Sequence, residues 1–451
     1  MPIALIRGTA GDDTLYGTSG QDSILGLAGA DLAAGDGAPV TVDGSDSATL
    51  VGAGDVLAGG TGNDTLFGDG SFVSGPLTAG ATGTLAGGDD LLVGAAGDDR
   101  LWGDGALSLG NGSSSELLGG DDTLGGGDGA DQLSGDGQAG AAFATGHVQG
   151  GDDVLAGDGG ADILWGDGST GFGRARGVVA GGADALAGGG GNDLLYGDGV
   201  AEVVHGADDV LSGADGNDTV YGDGIGYPTL TGGDDLIAAG TGADLVYGDG
   251  PVSTVYIGPA SLAGGDDTLL GGAGADRLYG DGTADAGGLP ATLTGGDDLV
   301  SGGTGADTLW GDGTIGSSPS QASFAGGDDT LAGGAGNDVL WGDGSTAASY
   351  QLGLAFAGGA DSFVFGRHGG GDVIEDFRHL DGDRIDLHAL ALDWSDLDSN
   401  GNGVLDRGDA VVTGAGGTLI DLGRAVGDAA GHDVLTVAGV SGLTASDFFL
   451  A

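Results

Sequence analysis

The sequence predicts an all-β chain wound as a parallel β-roll, a β-solenoid, with inserts along one edge and a C-terminal capping region. Three observations carry this: the glycine content, a nine-residue period and the register of the aspartates. Glycine supplies 111 of 451 residues and proline 8. Without a period that composition reads as disorder; with one, it reads as a chain that turns often. The period is plain: residues 333–341 read GGAGNDVLW, residues 302–310 GGTGADTLW and residues 271–279 GGAGADRLY. Three such units open the chain and place Asp13, Asp22 and Asp31 nine residues apart.

Each unit has a simple physical reading. Its first six residues form a tight turn, where glycine permits a left-handed backbone and close approach. The aspartate then points inward at the turn. The last three residues form a short strand with its apolar residue on the core face. Two units make one coil, and coils stack at about 4.8 Å, so eleven or twelve coils give a rod on the order of 55 Å.

After Asp31 the pattern becomes compound. One unit runs uninterrupted; the next opens with Gly-Asp-Gly, is broken by an insert and resumes as Gly-Gly-Asp-Asp-x-Leu or a close variant. The Gly-Asp-Gly aspartates are Asp36, Asp69, Asp104, Asp136, Asp167, Asp198, Asp223, Asp249, Asp281, Asp312 and Asp343. Their spacing is mostly 31 to 35 residues and shortens to 25 and 26 around Asp223 and Asp249. Because the two kinds of turn alternate, all inserts are expected along one edge, with a plain row of turns along the other.

The inserts are nearly neutral and rich in Ser, Thr, Ala and Gly. An apolar column lies two residues before each resuming glycine: Leu85, Leu117, Val148, Val179, Val204, Leu230, Leu262, Leu293, Phe324 and Phe356. A second column precedes each Gly-Asp-Gly: Phe67, Trp102, Ser134, Trp165, Tyr196, Tyr221, Tyr247, Tyr279, Trp310 and Trp341. A bare aromatic ladder would be a large exposed patch, so the inserts are expected to fold back over it as a second apolar layer.

The array is expected over residues 1–365. From 366 to 451 arginine becomes denser (Arg367, Arg378, Arg384, Arg407 and Arg424) and glycine turns thin out, as in a cap over the open end of a solenoid.

Charge points to the ligand. The formal net charge is −58, and nearly all the acid is Asp, with Glu only at 116, 202 and 375. Such a charge excludes nucleic acid as a partner and disfavours anionic membranes. Short carboxylates at fixed positions suit Ca²⁺, a hard ion that accepts many oxygens. There is no Cys, so neither disulfides nor thiol chemistry are available. No apolar run approaches the length of a membrane span. The Met1 to Gly8 segment is too short for a secretory leader.

Residues 8–365 resemble the RTX (repeats-in-toxin, hemolysin-type) calcium-binding repeats. Residues 359–387, GADSFVFGRHGGGDVIEDFRHLDGDRIDL, resemble the region that closes the array in serralysin-like proteases, and the terminal GLTASDFFLA resembles an uncleaved type I secretion signal. The resemblance implies calcium ions between stacked turns, held by Asp carboxylates and backbone carbonyls. Besides Asp13, Asp22 and Asp31, it assigns Asp64, Asp99, Asp131, Asp162, Asp193, Asp218, Asp244, Asp276, Asp307 and Asp338 to the uninterrupted edge. To the insert edge it assigns Asp90, Asp122, Asp153, Asp184, Asp209, Asp235, Asp267, Asp298 and Asp329, with the Gly-Asp-Gly aspartates open as further ligands. The insert edge departs from the family pattern, and a bland alternative is that some of these residues only form Asx-turns. The ions expected number on the order of 20, offsetting most of the charge.

A second calcium signal lies in the cap. Residues 398–409, DSNGNGVLDRGD, place oxygen donors Asp398, Asn400, Asn402 and Asp406 at EF-hand spacing, with Asp409 in place of the final Glu. The alternative is an ordinary Asp/Asn/Gly turn.

No HExxH helix and no GxSxG elbow is present, and the six His are scattered. The expectation is therefore a secreted, calcium-binding structural or adhesive protein, not an enzyme, located outside the cell or at its surface and capable of self-association or of binding a surface or matrix partner. The alternatives are a carbohydrate-binding module using the aromatic ladder, or an accessory module of an enzyme.

Overall fold

The computed structural model describes residues 3–37, 40–42, 48–74, 82–109, 114–141, 145–170, 177–253, 258–287, 289–316, 321–346, 355–413, 417–428 and 433–451. It is an all-β parallel solenoid. The chain divides into two compact units: residues 1–236 with 250–257, and residues 237–249 with 258–451.

In the first unit each coil opens with a six-residue strand, such as Leu91–Ala96, and turns at Gly97 to Asp99. A three-residue strand, Arg100–Trp102, follows and ends at the Gly-Asp-Gly corner. Successive coils repeat this in register: Leu92 lies beside Leu124 and Leu124 beside Leu155, while on the facing sheet Leu101 lies beside Leu133. Side chains alternate across each strand. Hence Ile24, Leu57, Leu92, Leu124 and Leu155 form one buried column, and Leu66, Leu101, Leu133, Leu164 and Leu195 a second. The second unit is wound the same way, with Leu269, Val300 and Leu331 in one column and Leu278, Leu309 and Leu340 in the other.

The turns show why glycine recurs. Gly129 sits at φ +152°, and a Cβ there would lie 1.8 Å from the carbonyl oxygen of Gly97 in the previous coil. Both the backbone angle and the coil spacing demand glycine at this position.

The inserts build a sheet of their own. An outgoing arm such as Ala106–Leu109 pairs with the outgoing arm Gln138–Ala141 of the next coil, and the returning arm Ser114–Leu118 pairs with Gly146–Gln149. In the two shortest inserts one strand makes both arms: Val200–His205 and Ile225–Thr231. There the register shifts between Ala201 and Val203, and Gly226 faces the carbonyl of Thr229. The longer inserts therefore extend the same two-armed element. Their tips, at 75–81, 110–113, 142–144 and 171–176, lie outside the described residues.

The apolar column ahead of each resuming glycine belongs to this lobe. Leu85, Leu117, Val148 and Val179 are fully buried, alongside Leu107, Ala139 and Thr170 of the outgoing arms. The expected second apolar layer exists and is buried within the lobe, and at Tyr227 an insert side chain lies near Tyr196 of the aromatic ladder. The ladder also stacks on itself. Phe67 and Trp102 lie 4.8 Å apart and 9° from parallel, Tyr196 and Tyr221 4.9 Å and 5°, and in the second unit Tyr279 and Trp310 4.2 Å and 5°. Trp165, Trp310 and Trp341 are half-buried. In-register parallel strands set identical positions about 4.8 Å apart, close to the preferred separation of stacked rings, so rings on adjacent rungs cover each other except where Ser134 separates Trp102 from Trp165.

The sheets continue past Phe365. Arg384–Asp386 adds to the sheet of Ser362–Val364, and the C-terminal Phe448–Phe449 pairs with Arg384–Asp386. On the other face Gly371–Ile374 pairs in parallel with Val434–Ala438, and the antiparallel strands Gly417–Asp421 and Val412–Thr413 close that sheet.

Candidate metal centres

The two predicted aspartate rows are both present. Along the uninterrupted edge each carboxylate reaches back one coil: Oδ1 of Asp31 accepts the backbone N–H of Asp13 at 2.8 Å, that of Asp64 accepts from Asp31 at 2.8 Å, and that of Asp99 accepts from Asp64 at 2.7 Å. The same bond recurs through Asp131, Asp162 and Asp193, and through Asp276, Asp307 and Asp338 in the second unit. Along the insert edge it links Asp22, Asp55, Asp90, Asp122, Asp153, Asp184, Asp209 and Asp235, and in the second unit Asp267, Asp298 and Asp329. The three opening aspartates alternate between the edges, Asp13 and Asp31 on one and Asp22 on the other.

The second carboxylate oxygen carries the chemistry. Oδ2 of Asp64, Asp99, Asp131, Asp162 and Asp193 is buried and accepts no hydrogen bond, as is Oδ2 of Asp90, Asp122, Asp153, Asp184 and Asp209. A Cβ built on Gly94 would lie 2.3 Å from Asp99 Oδ2 and 2.7 Å from the Gly126 carbonyl oxygen of the next coil. On the insert edge a Cβ on Gly68 would meet Asp90 Oδ2 at 2.0 Å and the Gly103 carbonyl at 1.9 Å. Each turn thus brings a carboxylate oxygen and a carbonyl oxygen of the next coil together against a glycine that has no room for a side chain. Calcium takes 6–8 oxygens at about 2.3–2.6 Å, and this donor set fits it. An Asx-turn alone would not leave one carboxylate oxygen per turn buried and unpaired.

Electrostatics agrees with the geometry. Burial, with repulsion from neighbouring carboxylates, pushes Asp99 up to about 6 and Asp162 to about 7 on the uninterrupted edge. On the insert edge it pushes Asp90, Asp122 and Asp153 to about 10. These aspartates, on both edges, are at most 3% exposed, and on the insert edge burial is compounded by repulsion from the Gly-Asp-Gly carboxylates Asp69 and Asp136.

Four members of the rows lie outside the predicted set. Asp55 continues the insert edge, where the resuming glycines read Gly52-Ala53-Gly54. Asp372 receives the Asp338 amide at 3.1 Å, Asp361 the Asp329 amide at 3.1 Å and Asp383 the Asp361 amide at 3.3 Å. Asp361 follows a Gly-Gly-Ala-Asp turn like that of Asp184, whereas Asp372 follows three glycines and Asp383 a single one.

The loop at 398–409 is assembled, with its acids held by its own amides. Asp398 Oδ1 accepts from Gly401 at 2.8 Å and its Oδ2 from Gly403 at 2.8 Å; Asp409 accepts from Asn400 at 3.0 Å and from Asp406 at 2.9 Å. Asp406 accepts from the side chains of Asn400 and Asn402 at 3.3 and 3.0 Å. Among the described residues no three His, Cys, Asp or Glu side chains converge on one point, either in this loop or in the rows. In the rows carbonyl oxygens complete the donor set, whereas in the loop the carboxylates already have partners.

Among the described residues no helix is long and apolar enough to cross a membrane. No curated protein matches the chain. The family model for the RTX calcium-binding nonapeptide repeat (4 copies) matches residues 5–37, 51–71, 86–106, 147–170, 179–200, 205–224, 230–250, 263–286, 293–313 and 325–346. Those segments contain most of the turns just described and amount to half of the chain, which therefore belongs to the RTX calcium-binding repeat family.

Proposed function

We propose that this calcium-binding chain is a secreted, non-enzymatic structural or adhesive protein, exported unfolded by type I secretion and folded outside the cell by calcium. The observation that carries the reading is the repeated buried carboxylate oxygen without a hydrogen-bond partner. A folded, ion-free array would hold dozens of like charges in a low-dielectric interior. Where calcium is scarce the chain stays open and threads a channel. Calcium at about 10⁻⁴–10⁻³ M outside the cell suits sites of this class, and binding then drives folding, since the sites exist only in the folded state.

The C-terminal segment supports export less directly, because Phe448–Phe449 is also a strand of the fold. Deleting residues 442–451 is expected to retain the chain inside cells carrying a type I exporter. Phe448→Ser, which disturbs packing but keeps the segment, is expected to leave export intact. Export of the deletion at the full-length rate overturns the signal assignment.

Carbohydrate stacking needs free ring faces. Here the faces of neighbouring rungs meet each other, which supports the structural reading. Electron microscopy of the purified protein is expected to show ordered assemblies with calcium and none in chelator. Specific binding on a glycan array without such assembly overturns the structural role.

A further inference from the structure

The Gly-Asp-Gly aspartates form a third column, separate from the two rows that the repeat pattern explains. They sit at the neck where each insert leaves and rejoins the roll. Several accept an amide from the far end of their own insert: Asp69 from Gly88 at 2.9 Å, Asp167 from Gly182 at 3.2 Å, and in the second unit Asp312 from Gly327 at 2.9 Å. That bond staples the insert base, yet it leaves oxygens over. Asp69 Oδ1, Asp104 Oδ1 and both oxygens of Asp198 have no hydrogen-bond partner, and all three residues are 0% exposed.

These oxygens converge between coils. A Cβ on Gly181 would lie 1.5 Å from Asp198 Oδ1 and 2.9 Å from Asp167 Oδ2, carboxylates of successive coils. A Cβ on Gly206 would lie 1.6 Å from Asp223 Oδ1 and 2.9 Å from Asp198 Oδ2. The second unit repeats the arrangement: Gly264 faces Asp281 and Asp249 at 1.7 and 2.6 Å, and Gly295 faces Asp312 and Asp281 at 1.9 and 2.6 Å. The glycine that resumes each coil thus lies against carboxylate oxygens of two successive coils, with no room for a side chain of its own. Two ionised carboxylates cannot share such a buried space without a proton or a cation between them.

We propose that this neck column holds its own file of calcium ions, each bridging the Gly-Asp-Gly carboxylates of two successive coils beside the resuming glycine. The inference rests on the calcium-binding reading of the repeats and adds sites to it. The file closes the base of every insert and joins the insert lobe to the roll through metal.

The test is a count of bound calcium, by metal analysis after equilibrium dialysis, on the full chain and on two variants. Asp167→Asn with Asp198→Asn is expected to remove about three ions, one for each carboxylate pair broken, while the protein still folds in calcium. Asp162→Asn, in the uninterrupted row, serves as the reference and is also expected to lose ions. If the reference loses ions and the neck variant does not, the column is held by shared protons and the proposal is overturned. If neither variant loses ions, the calcium reading itself fails. Should the double variant not fold, the full chain decides: a saturating count above one ion per turn aspartate, by more than the single ion the 398–409 loop could add, supports the file. A count at or below that level overturns it.

Discussion

Oδ1 of Asp131 accepts the Asp99 amide at 2.7 Å, while Oδ2 of the same carboxylate stays buried without a partner beside Gly126. One oxygen thus fixes the stacking of two coils and the other is left to a cation. Asp131→Asn keeps the size and one acceptor but removes the charge. It is expected to cost about 1–3 kcal/mol, the range for disturbing a buried charged hydrogen-bonding group, measured by thermal unfolding in saturating calcium. Melting equal to that of the parent protein counts against a metal role for this row.

Gly94 and Gly125 make a matched pair. A Cβ on Gly94 would enter the space between Asp99 Oδ2 and the Gly126 carbonyl, whereas a Cβ on Gly125 meets nothing within 4 Å. Gly94→Ala is expected to lower calcium affinity and stability. Gly125→Ala is expected to be neutral or to stabilise by about 0.4–1 kcal/mol through the unfolded chain. Calcium titration followed by fluorescence separates the two, and equal behaviour contradicts the assigned cradle.

The pH response without calcium has a definite sign. Burial raises the carboxyls of Asp90, Asp122 and Asp153 to about 10 in the folded chain, against about 3.9 when unfolded. The ion-free fold therefore holds protons that the unfolded chain releases. This stabilising contribution is full below about pH 3.9 and is lost as pH rises through the folded values. In excess chelator, acidification from pH 7 toward 4 is expected to increase β-structure by circular dichroism. With calcium the response reverses, because protons compete for the ligands. Loss of β-structure on acidifying the chelated protein contradicts the burial argument.

Arg378 marks the end of the neck column. Its Nη1 lies 3.2 Å from Asp343 Oδ2, and its guanidinium lies 4.6 Å from the centre of the Phe356 ring, which stacks on Phe324. Arg378→Ala is expected to destabilise by about 1 kcal/mol, since the arginine is partly exposed and screened. The loss should be larger in low calcium, where Asp343 has no cation to replace it. A calcium-independent effect in thermal melts contradicts this role.

How much was legible in the sequence follows from how each feature is encoded. The Asp64 to Asp193 row and the Leu92 and Leu101 columns were readable because nine-residue spacing fixes both turn and strand. Asp55 and Asp383 are not legible because their turns lack the glycine pair, and Asp372 because it follows three consecutive glycines out of the repeat register, although their carboxylates bind the same amides. The Leu85 column is legible as apolar, but not its burial alongside Leu107 and Ala139 of the outgoing arms. The two arms of an insert vary in separation along the chain, so no constant spacing links Leu107 to Leu117. The ladder from Phe67 to Tyr221 is legible as a column, but spacing alone does not show that Phe67 stacks on Trp102, Trp165 on Tyr196 and Tyr196 on Tyr221. The Gly-Asp-Gly column was visible as a motif, but its burial depends on the insert rejoining beside it, which local spacing does not encode.

The central claim is that calcium, not apolar burial alone, makes this chain fold. Far-UV circular dichroism of the purified full chain at pH 7, in excess chelator and then in millimolar calcium, tests it most directly. The account predicts a coil spectrum in chelator and a cooperative change to a β spectrum as calcium is added. A spectrum equally rich in β-structure in excess chelator would contradict it.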